Sequence, residues 1–255
     1  MGIIAASRLR ATGISPFIIE VDTSKAGVSN NNQFQFTGAE GDYDVVAKQN
    51  DTVVQTFSNL SGSETITFTN GSGTYVLEIT PKLTNGFSRL MFNDGGDKKK
   101  MLDIKQWGTI IWSRLRRAYY DCGNMRVNAI DAPIMSNVND IEYMFLKASL
   151  ANPFTRNWNV STIVNFRGLF DRASLANPDI SLWDVSNAER MDRTFSSCNL
   201  STSNLTAAYS NWSLLNLKNN VIFEANGIKY NASGQAGRDI LVNTYNWSIT
   251  DGGQV

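Results

Sequence analysis

The sequence contains no histidine among its 255 residues. Histidine is the commonest general base, the commonest metal ligand and the usual middle member of catalytic triads. A chain without it lacks the residue on which most hydrolytic and metal-dependent sites depend. This absence favours a binding or structural role over an enzymatic one.

Cysteine is scarce as well, since only Cys122 and Cys198 occur. Two cysteines exclude the disulfide framework of small secreted domains, and they are too few for a cysteine-rich zinc site. Both lie at the same position of the repeat described below, where alanine otherwise stands. This position predicts two separate, buried and free thiols.

An excess of charge of one sign is also missing, because 23 basic residues balance 23 acidic ones. Nucleic acids and anionic membranes attract proteins with a basic excess, so neither is expected as a partner. No apolar run reaches the length of about 18 residues that predicts a membrane-spanning helix. In the first ten residues, Arg8 and Arg10 follow the short apolar run instead of preceding it, which is unlike a secretory signal.

Motifs of catalysis are missing too. The sequence has no Gly-Lys-Ser/Thr phosphate loop and no Gly-x-Ser-x-Gly nucleophile elbow. Asp140, Asp171 and Asp184 are acidic, but they fall on repeat positions where polar, exposed residues are expected. We therefore predict no catalytic residue, no metal site and no cofactor, and a glycan hydrolase is the weakest alternative.

Short alternating segments between turn-forming residues predict strands in the first third of the chain. Strands that are separated by turns about every ten residues are typical of an immunoglobulin-like β-sandwich. After residue 86 the pattern changes: Asp97 is an expected helix N-cap, and Lys98-Lys99-Lys100 is an expected solvated face. The predicted strands are 17–22, 33–37, 43–49, 52–57, 64–68, 74–81 and 87–92.

The strongest pattern is a repeat of 25 residues. The hexapeptide Ala-Ser-Leu-Ala-Asn-Pro occurs at 148–153 and again at 173–178. Phe145, Phe170 and Phe195 keep the same interval, as do Trp158 and Trp183. With one degenerate earlier copy, about four units span residues 104–200.

Each unit has the apolar spacing of a helix. In 163–175, apolar residues fall at offsets 0, 3, 7, 10 and 12, and the first four offsets follow a helical period. One unit cannot bury its apolar face alone, whereas stacked units can. The sequence thus predicts a multi-domain fold of β plus α/β class. Its parts are an N-terminal arm (1–13), an immunoglobulin-like β-sandwich (14–85), a short leucine-rich-repeat-like solenoid (86–200) and a C-terminal cap (201–255).

The repeats resemble the BspA-like leucine-rich-repeat surface proteins of Bacteroidetes, mycoplasmas and their phages. The motif Trp-Asp-Val-Ser-Asn at 183–187, followed by Met191 and Phe195, carries the resemblance, and Trp-Asn-Val-Ser at 158–161 begins a second copy. The resemblance extends over about residues 17–253. It implies a surface-displayed, non-catalytic and often adhesive module.

Members of this family usually carry a signal peptide, whereas a phage virion protein assembles in the host cytoplasm and needs none. We therefore expect a virion component, such as a tail or head fibre or a receptor-binding protein, that attaches to a host-surface glycan or protein. The N-terminal arm and sandwich would join it to other virion proteins, as a homo-oligomer. The alternative is a bacterial surface adhesin or a protein–protein interaction module.

Two sets of residues form the candidate binding surface. Trp158 and Trp183 would form an exposed ladder that stacks on sugar rings, or else pack between units as core, which is favoured. Arginines between the apolar positions would form an anion site, or else a solvated face, which is favoured. This basic set is Arg114, Arg117, Arg167, Arg172, Arg190 and Arg193, and the last four are the candidate residues.

Overall fold

A computed structural model describes residues 13–255, so the predicted N-terminal arm lies outside the described residues except for Gly13. No helix in this part of the chain combines the length and the apolar character needed to cross a membrane. The strands are β1 (Phe17–Asp22), β2 (Gln33–Gln35), β3 (Asp42–Gln49), β4 (Thr52–Ser61), β5 (Thr65–Thr67), β6 (Thr74–Pro81), β7 (Met101–Gln106), β8 (Arg126–Val127), β9 (Ile222–Glu224) and β10 (Ser248–Thr250). The helices are α1 (Thr202–Trp212), a short 3-10 helix (Ala232–Gly234) and α2 (Gln235–Asn243).

The largest sheet has six strands in the order β4-β3-β6-β1-β7-β8. All neighbours pair antiparallel except β7 and β8, which are parallel. Alternate residues of a strand point to opposite faces, so Phe17, Ile19 and Val21 of β1 are all fully buried on one face. A separate antiparallel pair, β2 and β5, adds Phe34 and Ile66 to the same core.

The predicted immunoglobulin-like sandwich is wrong, although its six strands between 14 and 85 exist. Four of them lie in one mixed sheet that continues past residue 85 into β7 and β8. The seventh predicted strand, 87–92, makes only an isolated bridge between Glu40 and Arg89. The alternation of apolar and polar residues shows which side chains of a strand face the core, but it does not show which strands are neighbours in the sheet.

Residues 113–200, called the repeat stack here, form turn-rich units that lie on one another in register. Parallel bridges join Asp140 to Asn165, and Asn165 to Arg190. The rings of Phe145 and Phe170 are 5.5 Å apart and stacked. The interval of 25 residues therefore corresponds to one step along the stack.

Most backbone hydrogen bonds between units run in one direction, although some, such as Val164 N to Asn139 O at 2.8 Å, run the other way. Tyr143 N donates to Arg167 O at 2.9 Å, and Gly168 N donates to Asp192 O at 3.0 Å. The further donor–acceptor pairs of this kind are Ile141–Asn165, Phe145–Leu169, Lys147–Asp171, Phe166–Arg190, Phe170–Thr194 and Arg172–Ser196. In each pair the N–H group belongs to the earlier unit and the carbonyl to the later one.

The predicted solenoid of α/β units is also wrong. The protein is mostly β, helices make up 9% of it, and no solenoid is seen in the part that the structure describes. Two residues in each unit, such as Tyr143 (φ 58°) and Lys147 (φ 59°), take the left-handed conformation that a right-handed helix cannot contain. Each unit consists of successive tight turns, such as those closed by the bonds from Met144 N to Ile141 O and from Ala148 N to Phe145 O. These turns bury side chains at intervals of three or four residues, so their apolar spacing resembles that of a helix.

The C-terminal segment covers the last unit of the repeat stack. Met191 N donates to Ile222 O at 3.2 Å, and Phe195 N donates to Glu224 O at 3.3 Å, so β9 receives the final inter-unit bonds. β10 pairs with β9 in parallel. Before this pair, α1 begins at Ser201, whose hydroxyl accepts from Asn204 N as a typical N-cap.

Both cysteines are free thiols, as predicted. Cys122 is fully buried, and its burial raises the pKa of the thiol well above the ordinary value. Cys198 is only partly buried, and burial raises the pKa of its thiol to about 11. Each packs as a small apolar residue within the repeat stack.

The lysine run 98–100 is not a solvated face. Lys100 is 0% exposed, and its Nζ donates to the carbonyls of Ser29, Asn30 and Gln33 at 2.9 to 3.0 Å. Burial lowers the pKa of Lys100, and the nearby charge of Asp97 acts against this shift. The charge thus lies inside the protein and holds a loop that precedes it by about 70 residues.

The predicted helix N-cap at Asp97 is wrong as well, because no helix follows it. Asp97 is 0% exposed and its carboxylate accepts from Val28 N at 2.9 Å and from Gln35 N at 2.8 Å. It lies 3.7 Å from the Nζ of Lys100. Asp97 and Lys100 therefore form a buried pair that closes the loop 28–35 onto the sheet.

Candidate functional site

A cleft of about 500 Å³ opens on the repeat stack beside the turn that contains Asn93 and Asp94. Four cationic side chains and two tyrosines dominate its lining, and Asp94 is its one acidic lining residue. We call it the cationic cleft. Its cations are Arg117, Lys147, Arg172 and Arg193, and its tyrosines are Tyr120 and Tyr143.

Left-handed backbone positions supply most of these side chains. One position of successive units holds Arg117, Tyr143, Gly168 and Arg193, with φ of 56°, 58°, 56° and 59°. Four residues later, a second position holds Asp121, Lys147, Arg172 and Ser197, with φ of 57°, 59°, 59° and 56°. We call these the first and second columns.

Residues other than glycine, asparagine and aspartate are uncommon in the left-handed region, where a Cβ costs about 1 kcal/mol or more. Lys147 and Arg172 nevertheless occupy adjacent units of the second column. Backbone energy does not favour long cationic side chains at such positions. Strained residues cluster at functional sites, so the side-chain chemistry of this cleft is the better reason for them.

Tyrosine rings hold two of the cations. The guanidinium of Arg117 lies 5.5 Å from the ring centroid of Tyr143, and that of Arg167 lies 5.6 Å from it. The Nζ of Lys147 lies 5.7 Å from the ring of Tyr120. A cation–π contact positions a cation without cancelling its charge. Arg117 and Lys147 are thus held in place without a carboxylate partner within residues 13–255.

Gly168 makes room for the ring of Tyr143. A Cβ on Gly168 would lie 2.3 Å from Cε1 of that ring, far inside contact distance. The first column therefore places a residue without a side chain directly after the large ring, and the ring fits only because of this.

The acidic lining residue is already paired. Lys98 donates hydrogen bonds to Asp94 and, at 2.5 Å, to Asp121. The hydrogen bond from Lys98 lowers the pKa of the Asp94 carboxyl, and the charge of Lys147 acts in the same direction. Asp94 therefore stays ionised and shares the charge of Lys98 with Asp121, and the four lining cations still exceed the one lining carboxylate.

Two of the four predicted arginines line the cleft. Arg172 is exposed, and no ion pair within residues 13–255 involves it. Arg193 donates from Nη2 to Asp171 at 2.5 Å. Asp171 is 1% exposed, so its expected place on the surface is wrong. The buried carboxylate fixes Arg193 from below.

The other two predicted arginines belong to an ion-pair ladder outside the cleft. Arg167 Nε lies 2.8 Å from Asp192 Oδ2, and Arg190 Nε lies 3.7 Å from Asp192 Oδ1. Arg116 Nε continues the ladder to Glu142 Oε2 at 2.7 Å. The sign alternates from unit to unit at this position, as Arg116, Glu142, Arg167 and Asp192. Arg167 and Arg190 are therefore paired surface residues.

The tryptophans do not form an exposed ladder. Trp158 is 3% exposed and Trp183 is 1% exposed. Trp183 Nε1 donates to the carbonyl of Thr155 at 3.1 Å, and the ring of Trp158 lies 6.0 Å from that of Trp107. Their large apolar rings fill the space between units, so they present no face to a sugar.

Sequence reasoning missed Tyr120, Tyr143 and Lys147, which complete the cleft. The signal was present in the repeat, because Tyr143 lies 25 residues before Gly168, and Lys147 lies 25 before Arg172. Comparison of every column, not only the apolar ones, would have placed them beside the arginines.

The cleft has the composition of an anion-binding site. Guanidinium and ammonium groups donate charge-assisted hydrogen bonds to carboxylate, sulfate and phosphate oxygens. Within residues 13–255 no group of three or more His, Cys, Asp and Glu side chains is placed to hold a metal ion.

Residues 113–233 match the model of a family described as a Mycoplasma protein of unknown function, DUF285. The match spans just under half of the chain and includes the repeat stack with all four cations of the cleft. Over this part it supports the resemblance to BspA-like surface proteins. No curated protein and no solved structure gave a significant match.

Proposed function

We propose that this protein is a non-enzymatic attachment module that binds anionic groups of a surface glycan through the cationic cleft. The observation that carries the proposal is the set of Arg117, Lys147 and Arg172, which line one cleft and have no carboxylate partner within residues 13–255. The match of 113–233 to a family related to BspA-like surface proteins supports a role at a surface.

A binding assay on a glycan array tests this proposal directly. The labelled full chain is expected to bind acidic glycans and not neutral ones. The triple variant Arg117→Asn, Lys147→Asn, Arg172→Asn should lose this binding. Asparagine suits the left-handed backbone at these positions, so the variant removes charge without straining the fold.

A matched control removes three charges elsewhere. Arg114, Lys218 and Lys229 are exposed and lie outside the cleft. The triple variant Arg114→Ala, Lys218→Ala, Lys229→Ala should bind acidic glycans like the parent protein. Equal loss in both triple variants, or no binding of the parent to any acidic glycan, would contradict the proposal.

The place of display is a separate proposal. We infer either a phage virion component, such as a tail or head fibre or receptor-binding protein joined to other virion proteins, or a bacterial surface adhesin. The resemblance to BspA-like surface proteins does not distinguish the two, and the Mycoplasma description of the matched family favours the second. Mass spectrometry of purified particles and of surface-labelled cells separates them, because the chain should appear in only one of the two samples.

A further inference from the structure

We propose that the ligand of the cationic cleft is a linear acidic polysaccharide that lies along the repeat stack, with its carboxylate or sulfate groups against successive cations. This inference rests on the attachment function proposed above and names its ligand class. Its basis is the length of the cation array, the means by which three of its four cations are held, and the cations that lie over the two tyrosine rings.

The cations extend over several units of the stack. Backbone-bonded neighbours in a sheet lie about 4.8 Å apart, so Arg117 and Arg193, three units apart in the first column, are separated by about 14 Å along the stack. Lys147 and Arg172 lie in the two units between them, in the second column. A single phosphate or sulfate meets one or two such side chains, whereas a chain with several anions can meet all four.

The two columns line the same cleft from positions four residues apart. An elongated ligand between them would meet cations on both sides as it passes from unit to unit. Because every cation belongs to a different unit, the spacing between successive charges follows the repeat and not the conformation of a single loop.

Three of the four cations are held in place before any ligand binds. Arg193 is fixed by the buried carboxylate of Asp171, Arg117 by the ring of Tyr143, and Lys147 by the ring of Tyr120. Ordering a flexible side chain on binding costs roughly 0.5–1.5 kcal/mol. An array in which three of four cations are already ordered avoids much of this cost, which favours a ligand that contacts several cations at once.

The tyrosines argue against a nucleic acid. Single-stranded nucleic acids bind by stacking bases on open aromatic faces. Arg117 and Arg167 lie over the ring of Tyr143, and Lys147 lies over that of Tyr120, so cations of the protein already occupy these rings. The chain also has no net positive charge. Among extended polyanions, the cleft therefore suits one that has no bases to stack.

Isothermal titration of the full chain with oligogalacturonates of one to eight sugars tests the inference. The affinity should rise at least about tenfold from the monosaccharide to the tetrasaccharide, and it should then level off because every cation of the array is occupied. Heparin oligosaccharides of the same lengths distinguish sulfate from carboxylate groups as the source of charge. Neutral dextran should not bind.

Single substitutions locate the ligand. Arg172→Asn should weaken binding of the octamer about tenfold, which corresponds to 1.4 kcal/mol. Arg190→Gln removes one charge from the ion-pair ladder outside the cleft and should change the affinity less than twofold. Equal loss in both variants would indicate general charge attraction and would overturn the inference.

The titration distinguishes failure of the polysaccharide inference from failure of the proposed attachment function. If galacturonate or a sulfated monosaccharide binds as tightly as the longer oligosaccharides, the polysaccharide inference is wrong and the attachment function stands. Binding of a twenty-residue oligodeoxythymidine as tight as that of the octamer would also overturn the polysaccharide inference. If no acidic sugar of any length binds, both proposals fall.

Discussion

Asp97 and Lys100 show how one pair of charged residues can organise a loop. The two charges lie 3.7 Å apart and both side chains are fully buried. Removing two charges from water costs several kcal/mol each, which offsets most of their mutual attraction. The hydrogen bonds that they make to the backbone of the 28–35 loop therefore matter more than the ion pair itself.

Substitution of Asp97 by asparagine should destabilise the protein strongly. The new amide would face the N–H of Gln35 and the hydroxyl of Ser29, which are both donors, and Lys100 would lose its counter-charge. Breaking a buried pair in this way costs about 3–5 kcal/mol. Urea unfolding monitored by tryptophan fluorescence should show a correspondingly lower midpoint for Asp97→Asn.

Asp184→Asn is the matched control for this variant. Asp184 is exposed, and its carboxylate accepts from Ser186 N at 3.0 Å, a bond that an asparagine oxygen can also accept. Its free energy of unfolding should change by less than about 0.5 kcal/mol. If Asp97→Asn and Asp184→Asn unfold at the same urea concentration, the buried pair has no structural role.

The sequence could not reveal this pair. Three consecutive lysines are usually solvated, because charged residues are rarely buried unless they are paired. The groups that pair with Lys100 are the carbonyls of a loop about 70 residues earlier, and no local pattern connects the two segments. Only the folded chain brings them together.

Strands and turns differ in how well local sequence predicts them. β1 (Phe17–Asp22) and β6 (Thr74–Pro81) have the predicted bounds, because alternation of apolar and polar residues is a local consequence of the strand. The repeat units carry an equally regular spacing, yet they contain left-handed residues such as Tyr143 and Lys147. The presence of tyrosine or lysine does not predict a left-handed backbone conformation, because this conformation is uncommon for both residue types.

Gly168 should be the most sensitive glycine of the repeat stack. An alanine at this position would be strained by the left-handed backbone (φ 56°), and its Cβ would also clash with the ring of Tyr143. The backbone costs about 1 kcal/mol, and overpacking adds about 1–3 kcal/mol. Gly168→Ala should therefore lower the free energy of unfolding by about 2–4 kcal/mol in urea titrations.

Gly227→Ala separates these two contributions. Gly227 has a similar backbone (φ 75°), and a Cβ there would meet nothing within 4 Å. Gly227→Ala should therefore lower the free energy of unfolding only by the backbone cost of about 1 kcal/mol. Adding Tyr143→Ala to Gly168→Ala should remove the clash, so that the double variant is more stable than additivity allows. Additive losses would show that the ring and the glycine do not interact.

The whole repeat stack is built from interchangeable steps, which permits a deletion of a complete unit. Removal of residues 149–173 joins Ala148 to Ser174 and leaves the hexapeptide Ala-Ser-Leu-Ala-Asn-Pro intact at the junction. Phe145 would then lie against Phe195 in place of Phe170. We expect a folded protein with cooperative thermal unfolding by circular dichroism, but with a lower midpoint, since one interface between units is lost.

A deletion of 149–160 is the control, since it removes about half a unit. It shifts every later column out of register, so it should give an unfolded or aggregated protein in size-exclusion chromatography. In the deletion of 149–173, Glu142 would face Asp192 in the ion-pair ladder in place of Arg167. The repulsion between these two carboxylates should account for part of its lower thermal midpoint. If the two deletions behave alike, the units are not equivalent steps.

At the scale of the whole molecule, the repeat predicted the columns but not the site. Of the four candidate arginines, Arg172 and Arg193 line the cleft, whereas the other two belong to the ion-pair ladder. The repeat could not show that these columns face the turn at Asn93 and Asp94, which comes from outside the repeats. The repeat therefore predicted that basic residues recur along the stack, but not which of them line the cleft or which other residues form it.

The unequal directions of the hydrogen bonds in the repeat stack have an electrical consequence. In an ordinary sheet the peptide dipoles largely cancel, whereas here more inter-unit N–H groups point toward the later unit than toward the earlier one. The dipoles therefore cancel only in part, and the positive pole lies at the C-terminal end of the stack. There the carboxylate of Glu224 accepts from Arg193 N at 2.9 Å, as an acidic residue does at the start of a helix. A protein without net charge thus carries a net backbone dipole along its repeat stack.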